Sequence, residues 1–90
     1  ANLEVSDPEG YKAYQAFVRP FIAASRGRFI LRGGEAERVE GEMYPRVVVI
    51  EFPSFELAKR AYHSAEYQEG MKLRLGNSVA NIAIVEGFDG

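Results

Sequence analysis

The sequence predicts an α+β fold of order β-α-β-β-α-β, a four-stranded antiparallel sheet with helices on one face. Three observations predict it. Short runs rich in β-branched and aromatic residues recur four times along the chain. Stretches of 3.6-residue apolar periodicity separate the first run from the second and the third from the fourth. A loop bounded by Gly41 and Pro45 joins the middle two runs as a hairpin.

The first strand is expected over Asn2–Ser6, where Leu3 and Val5 alternate with polar neighbours. Asp7-Pro8-Glu9 then opens a helix. Asp7 can accept from the free amides, Pro8 needs no donor at the first helical position, and Glu9 suits the positive end of the dipole. Tyr11, Tyr14, Val18, Phe21, Ile22 and Ser25 keep the helical period, with Phe17 beside them; Tyr11 and Tyr14 are expected in the helix–sheet core. Pro20 should kink or split this helix, and Gly27 should end it as a left-handed cap.

Arg28–Arg32 reads as the second strand, interrupted by a bulge at Gly33-Gly34 and continued over Glu35–Glu40. Arg46–Phe52 is the third. Ser54 caps the next helix, which should bury Phe55, Ala58, Ala61 and Tyr62. Ser64 opens a further short helix with Tyr67, Met71 and Leu75 at spacings of four, stopped by Gly76. Val79–Glu86 is the last strand. Residues 1–90 are expected to form a single domain of ferredoxin-like build.

The strands are apolar on both faces. Val47 and Val49 oppose Val48 and Ile50, Ile82 and Ile84 oppose Ala83 and Val85, and Phe29 and Leu31 oppose Ile30. Helices cover one face, and no further layer remains in the sequence for the other. A second copy of the sheet is the simplest cover, so a homodimer through the sheet face is expected.

Thirteen acidic and eleven basic residues leave a net charge of −2. That balance argues against nucleic acid, whose phosphates require a clustered basic excess; Arg26, Arg28 and Arg32, with Arg38 nearby, are followed at once by acidic residues. No apolar run approaches the ~20 residues that span a bilayer, so a cytoplasmic protein without a membrane partner is expected. One histidine and no cysteine leave one chain without the ligands of a zinc or haem site. Phosphate-cradling glycine motifs and a nucleophile elbow are absent from the sequence, and no cofactor is required.

Several segments together resemble one family. They are Arg28-Phe29-Ile30-Leu31-Arg32-Gly33-Gly34, then Arg46-Val47-Val48-Val49-Ile50-Glu51-Phe52-Pro53-Ser54, then Ala61-Tyr62-His63-Ser64-Ala65-Glu66-Tyr67-Gln68, with the helix opening at Asp7-Pro8-Glu9 and Tyr11. They look like domain of unknown function 1330, within the dimeric α+β barrel superfamily. The resemblance implies a ferredoxin-like protomer whose sheet packs on its mate's to close a barrel. The family's first strand is usually longer and more apolar than Ala1–Ser6, which implies native residues upstream. Sister families include small monooxygenases, isomerases and haem-handling proteins, and their catalytic residues do not map onto motifs here.

Four residues are candidates for a ligand cleft between sheet and helices. Glu51 follows four apolar positions, and a carboxylate there either needs a partner or acts as a base. Arg32, at the end of the second strand, either neutralises Glu51 or holds an anion through its planar fork. His63 closes the second main helix, as a cap or as a proton shuttle. Tyr67 is a core aromatic or a ligand contact, and Tyr62 reads the same way. Glu51 and His63 would be catalytic, Arg32 and Tyr67 ligand-binding, and Glu86 and Asn81 are weaker candidates. The expected function is binding or transforming a small anionic or phenolic molecule. The alternatives are a non-catalytic dimerisation or regulatory module, and, from the sister families, a cofactor-free monooxygenase-like or isomerase-like enzyme.

Overall fold

The computed structural model describes residues 1–88. In chain order they form β1 (Asn2–Val5), α1 (Pro8–Ala24), β2 (Arg28–Arg32), β3 (Arg46–Glu51), α2 (Phe55–His63), α3 (Ala65–Met71) and β4 (Ser78–Asn81). The strands make an antiparallel sheet of order β2-β3-β1-β4. This is the α+β arrangement expected of two βαβ units joined at the middle pair.

α1 begins where Pro8 fixes a helical φ and Glu9 meets the dipole, but the Asp7 side chain makes no cap hydrogen bond. Pro20 does not split the helix in two: one helix of 17 residues runs through it. Pro20 deprives the Ala16 carbonyl of a donor, and both residues are exposed, so solvent takes the place of the missing N–H. At the C-terminus Arg26, with φ 68°, takes the left-handed position assigned in sequence to Gly27. Gly27 donates its N–H to the Ile22 carbonyl at 2.8 Å, and a Cβ there would lie 2.9 Å from Ile22 and from Phe52. Close approach, rather than a positive φ, is what requires a glycine at this point.

The β2–β3 register pairs Phe29 with Ile50 and Leu31 with Val49, with a shift between them. The bulge therefore falls at Ile30 and not at the glycine pair. Glu35–Glu40 is not a strand. Gly33, at φ 77°, turns the chain away from β3, and the charged segment that follows offers no apolar face to bury. The loop returns through a clamp: the Asn2 amide donates to the carbonyls of Tyr44 and Arg46 and accepts from the Tyr44 N–H, each at 3.0 Å.

Both short helices are capped as the sequence predicts. Ser54 Oγ accepts from Leu57 N–H and Ser64 Oγ from Tyr67 N–H, both at 3.1 Å. α3 stops at Met71 and continues as turns through Arg74. β4 is shorter than expected, because its ladder with β1 ends at Asn2 opposite Asn81 and, among the described residues, no strand pairs with residues 82–86.

Leu3, Val48, Ile50 and Ala80 face the helices and join a core of Tyr11, Tyr14, Val18, Phe21, Ile22 and Tyr67. Exposure in that core runs from 4% at Leu3 to 9% at Tyr14, so the helices do not close fully onto the sheet. The opposite sheet face carries Leu31, Val49 and Val79, at 51%, 40% and 50% exposure.

Candidate functional site

Between the helices and the sheet lies an open cleft of about 1250 Å3, walled by Val48 and Ile50 from the sheet, Val18 and Ile22 from α1, Ala58 from α2 and Tyr67 from α3. A volume of this size exceeds the few hundred Å3 that a small ligand fills. Its apolar walls are interrupted by one buried cation. Arg74 is 9% exposed and its Nε has no hydrogen-bond partner.

Local structure holds Arg74 in place. Its N–H bonds the Met71 carbonyl at 3.0 Å, and its own carbonyl accepts from Ser78 Oγ at 2.9 Å. The guanidinium carbon lies 5.8 Å from the centre of the Tyr14 ring. Tyr11 and Tyr14 stand three residues apart on one face of α1 with ring centres 5.4 Å apart. Tyr67, whose amide is fixed by the Ser64 cap, brings its hydroxyl to 2.8 Å from that of Tyr14. A cation and two phenol hydroxyls thus converge on one end of the cleft.

Burial pushes the Tyr14 hydroxyl well above the ordinary value, and its hydrogen bond to Tyr67 adds to the effect, so Tyr14 remains a neutral donor. Burial also raises Tyr11, against the opposing pull of Arg46 and Arg74. For Arg74, burial disfavours the charge, and the Tyr67 and Tyr14 hydroxyls more than compensate, leaving it firmly cationic.

The wider wall is basic although the chain is acidic. Of the eight arginines, six line the cleft (Arg19, Arg26, Arg28, Arg32, Arg46 and Arg74), against only Glu51 and Glu86. Among the described residues, Arg28 is the one member of this set in an ion pair. Clustered positive charge over low-dielectric walls draws anions. Among the described residues no three His, Asp or Glu side chains converge as metal ligands, and no helix is long and apolar enough to cross a membrane.

The four residues singled out in sequence are not brought together. Tyr67 lines the cleft and belongs to the core at once. Glu51 shares a face with Val47 and Val49, and that face points away from the helices, so Glu51 touches only the cleft's outer edge. Its partner is Arg28, through Nε to Oε1 at 2.8 Å, because the register sets those two residues opposite one another. Arg32 is opposite Val48, and its guanidinium lies 5.4 Å from the centre of the Phe29 ring. The bulge at Ile30 is what puts two residues three apart on one face. His63 is exposed at the end of α2, its ring edge-on to Tyr62 at 5.2 Å, and does not line the cleft. Asn81 lies outside the cleft, and Glu86 lines its wall.

Arg74 escaped the sequence reading because Leu75 completes the four-residue spacing from Met71. The signal was present: Tyr67, Met71 and Arg74 fall at i, i+4 and i+7, a charge on an apolar stripe.

The fold and this cleft define a small α+β protein with a basic, tyrosine-lined cavity. A family model described as domain of unknown function (DUF1330) matches residues 1–88, and the chain belongs to that family. A search of curated proteins found no match.

Proposed function

We propose that this protein binds a small organic anion in the cleft between sheet and helices, with Arg74 as the anchor and, as an additional donor, the one O–H of the Tyr14–Tyr67 pair that their mutual hydrogen bond leaves free. The observation that carries this is the unpaired Arg74: a buried guanidinium with an unsatisfied Nε and no carboxylate partner among the described residues. Buried charges are ordinarily paired, and an anion entering the cleft would complete the set. A carboxylate or phenolate fits the planar fork in two-point fashion, and the apolar walls suit its body. Thermal shift and calorimetric titration against small carboxylates and phenols test it. Stabilisation that disappears in Arg74→Gln supports the anchor, and stabilisation that persists there removes it.

The same reading takes the protein as a homodimer through the outer sheet face. Leu31, Val49 and Val79 supply an apolar patch there, with the Arg28–Glu51 pair beside it, and among the described residues no helix covers that side. The second reading, a dimerisation module without a ligand, rests on this patch alone. Arg74 favours the first, since a pure assembly device has no use for an unpaired buried cation on the opposite side of the sheet. Glu51 at the cleft's edge and exposed His63 remain the proton-moving candidates if the bound molecule is transformed.

A further inference from the structure

Arg74 is not the only unpaired guanidinium on the helix-facing side. Arg46 opposes Leu3 in the β1–β3 register, and antiparallel partners share a face, so Arg46 rises on the same side as Leu3, Val48 and Ile50. It pairs with no carboxylate among the described residues and lines the cleft. Gly33 gives it room. A Cβ on Gly33 would lie 2.6 Å from Arg46 Nε and 3.1 Å from its Cζ, so the guanidinium lies against bare backbone at a residue whose φ of 77° favours glycine. The Asn2 clamp fixes the main chain of Arg46 at its carbonyl. Arg46 and Arg74 also act on one phenol, since both pull the Tyr11 hydroxyl downward against the effect of burial. The two cations therefore come from different layers, one from the sheet and one from the turn after α3, and line the same cleft as Tyr11, Tyr14 and Tyr67.

We infer that the cleft takes a dianion, a small dicarboxylate on a short apolar frame, with one carboxylate at Arg74 and the Tyr14–Tyr67 pair and the other at Arg46. This rests on the anion-binding reading and adds a second subsite to it. A monocarboxylate held at Arg74 leaves Arg46 without a carboxylate partner, whereas a dicarboxylate supplies one to each guanidinium. The rim arginines Arg26 and Arg32 add positive potential at the mouth without being needed as direct contacts.

Calorimetric titration of the chain with succinate, glutarate and adipate, each against the monocarboxylate of the same carbon count, tests the second subsite. The best-fitting dicarboxylate is expected to bind about tenfold tighter than its matched monocarboxylate, the gain from one further charge-assisted contact. In Arg46→Gln that ratio should fall to about twofold or less, while monocarboxylate affinity is retained. In Arg74→Gln both ligands should weaken. A dicarboxylate preference absent from the unsubstituted protein, or one that survives Arg46→Gln, overturns the proposal. Should Arg46→Gln fail to fold, the matched pairs on the unsubstituted protein decide by themselves. Monocarboxylates that bind through Arg74 without any dicarboxylate preference would leave the anion site standing and remove only the second subsite; no binding by either series would remove both.

Discussion

Replacing Arg74 with methionine is expected to make the ligand-free protein more stable while abolishing anion binding. The Nε donor, buried and unpartnered, costs about 1–3 kcal/mol relative to a site without it. The Tyr67 and Tyr14 hydroxyls compensate the charge itself, and the approach of the guanidinium to the Tyr14 ring offsets about 1 kcal/mol of the Nε cost. Methionine keeps the unbranched apolar stem that packs beside Tyr14 and Tyr67 and carries no charge to desolvate. The balance is a gain of about 1 kcal/mol. For a domain of this size that corresponds to a rise in Tm of about 4–8 °C per kcal/mol. Urea unfolding followed by circular dichroism, at one fixed protomer concentration, measures it. Adding a saturating anion should reverse the ranking, because a ligand at a hundred times its Kd stabilises only the protein that binds it, by about 2.7 kcal/mol. A loss of more than about 1 kcal/mol in ligand-free Arg74→Met would refute the reasoning, since it would mean that the Nε donor is satisfied within the fold.

Other consequences follow from the same geometry. Leu31→Asp or Val49→Asp, each placing a charge in the outer apolar patch, should raise the dimer dissociation constant at least about tenfold in sedimentation velocity; the unsubstituted chain sedimenting as a monomer at micromolar concentration would remove the proposed assembly. Stability should fall as pH rises above 10.0, the ordinary tyrosine value, because the unfolded chain releases the Tyr14 proton there while the folded one retains it. The slope is about 1.4 kcal/mol per pH unit for each tyrosine so held. Tyr14→Phe should flatten this slope in urea titrations between pH 9 and 11, and an unchanged slope would assign it elsewhere. Glu51→Gln should change stability by less than about 1 kcal/mol, because its pair with Arg28 is exposed, at 57% and 72% of the two side chains, and so is screened by solvent. A larger loss would mean that the pair is buried inside the proposed dimer interface and does not lie at its solvated rim.

Much of the fold was open to inspection in the chain itself. Periodicity of 3.6 residues located α1, serine caps located the starts of α2 and α3, and runs such as Val47-Val48-Val49-Ile50 located strands, because these signals act between residues a few positions apart. The two-faced strands likewise marked the outer sheet face as apolar before any packing was known. Register, by contrast, is settled by pairings across the chain. The antiparallel β2–β3 register joined Glu51 to Arg28 and set Arg32 opposite Val48, and the end of β1 at Asn2 cut β4 short at Asn81. The convergence of Arg74, Tyr14 and Tyr67 joins α1 to α3 across 53 residues of sequence, and no local spacing encodes it. Local chemistry determined which elements form and which faces are apolar; the tertiary structure alone decided which charges keep a partner, because pairing depends on distances in space that the one-dimensional pattern does not contain.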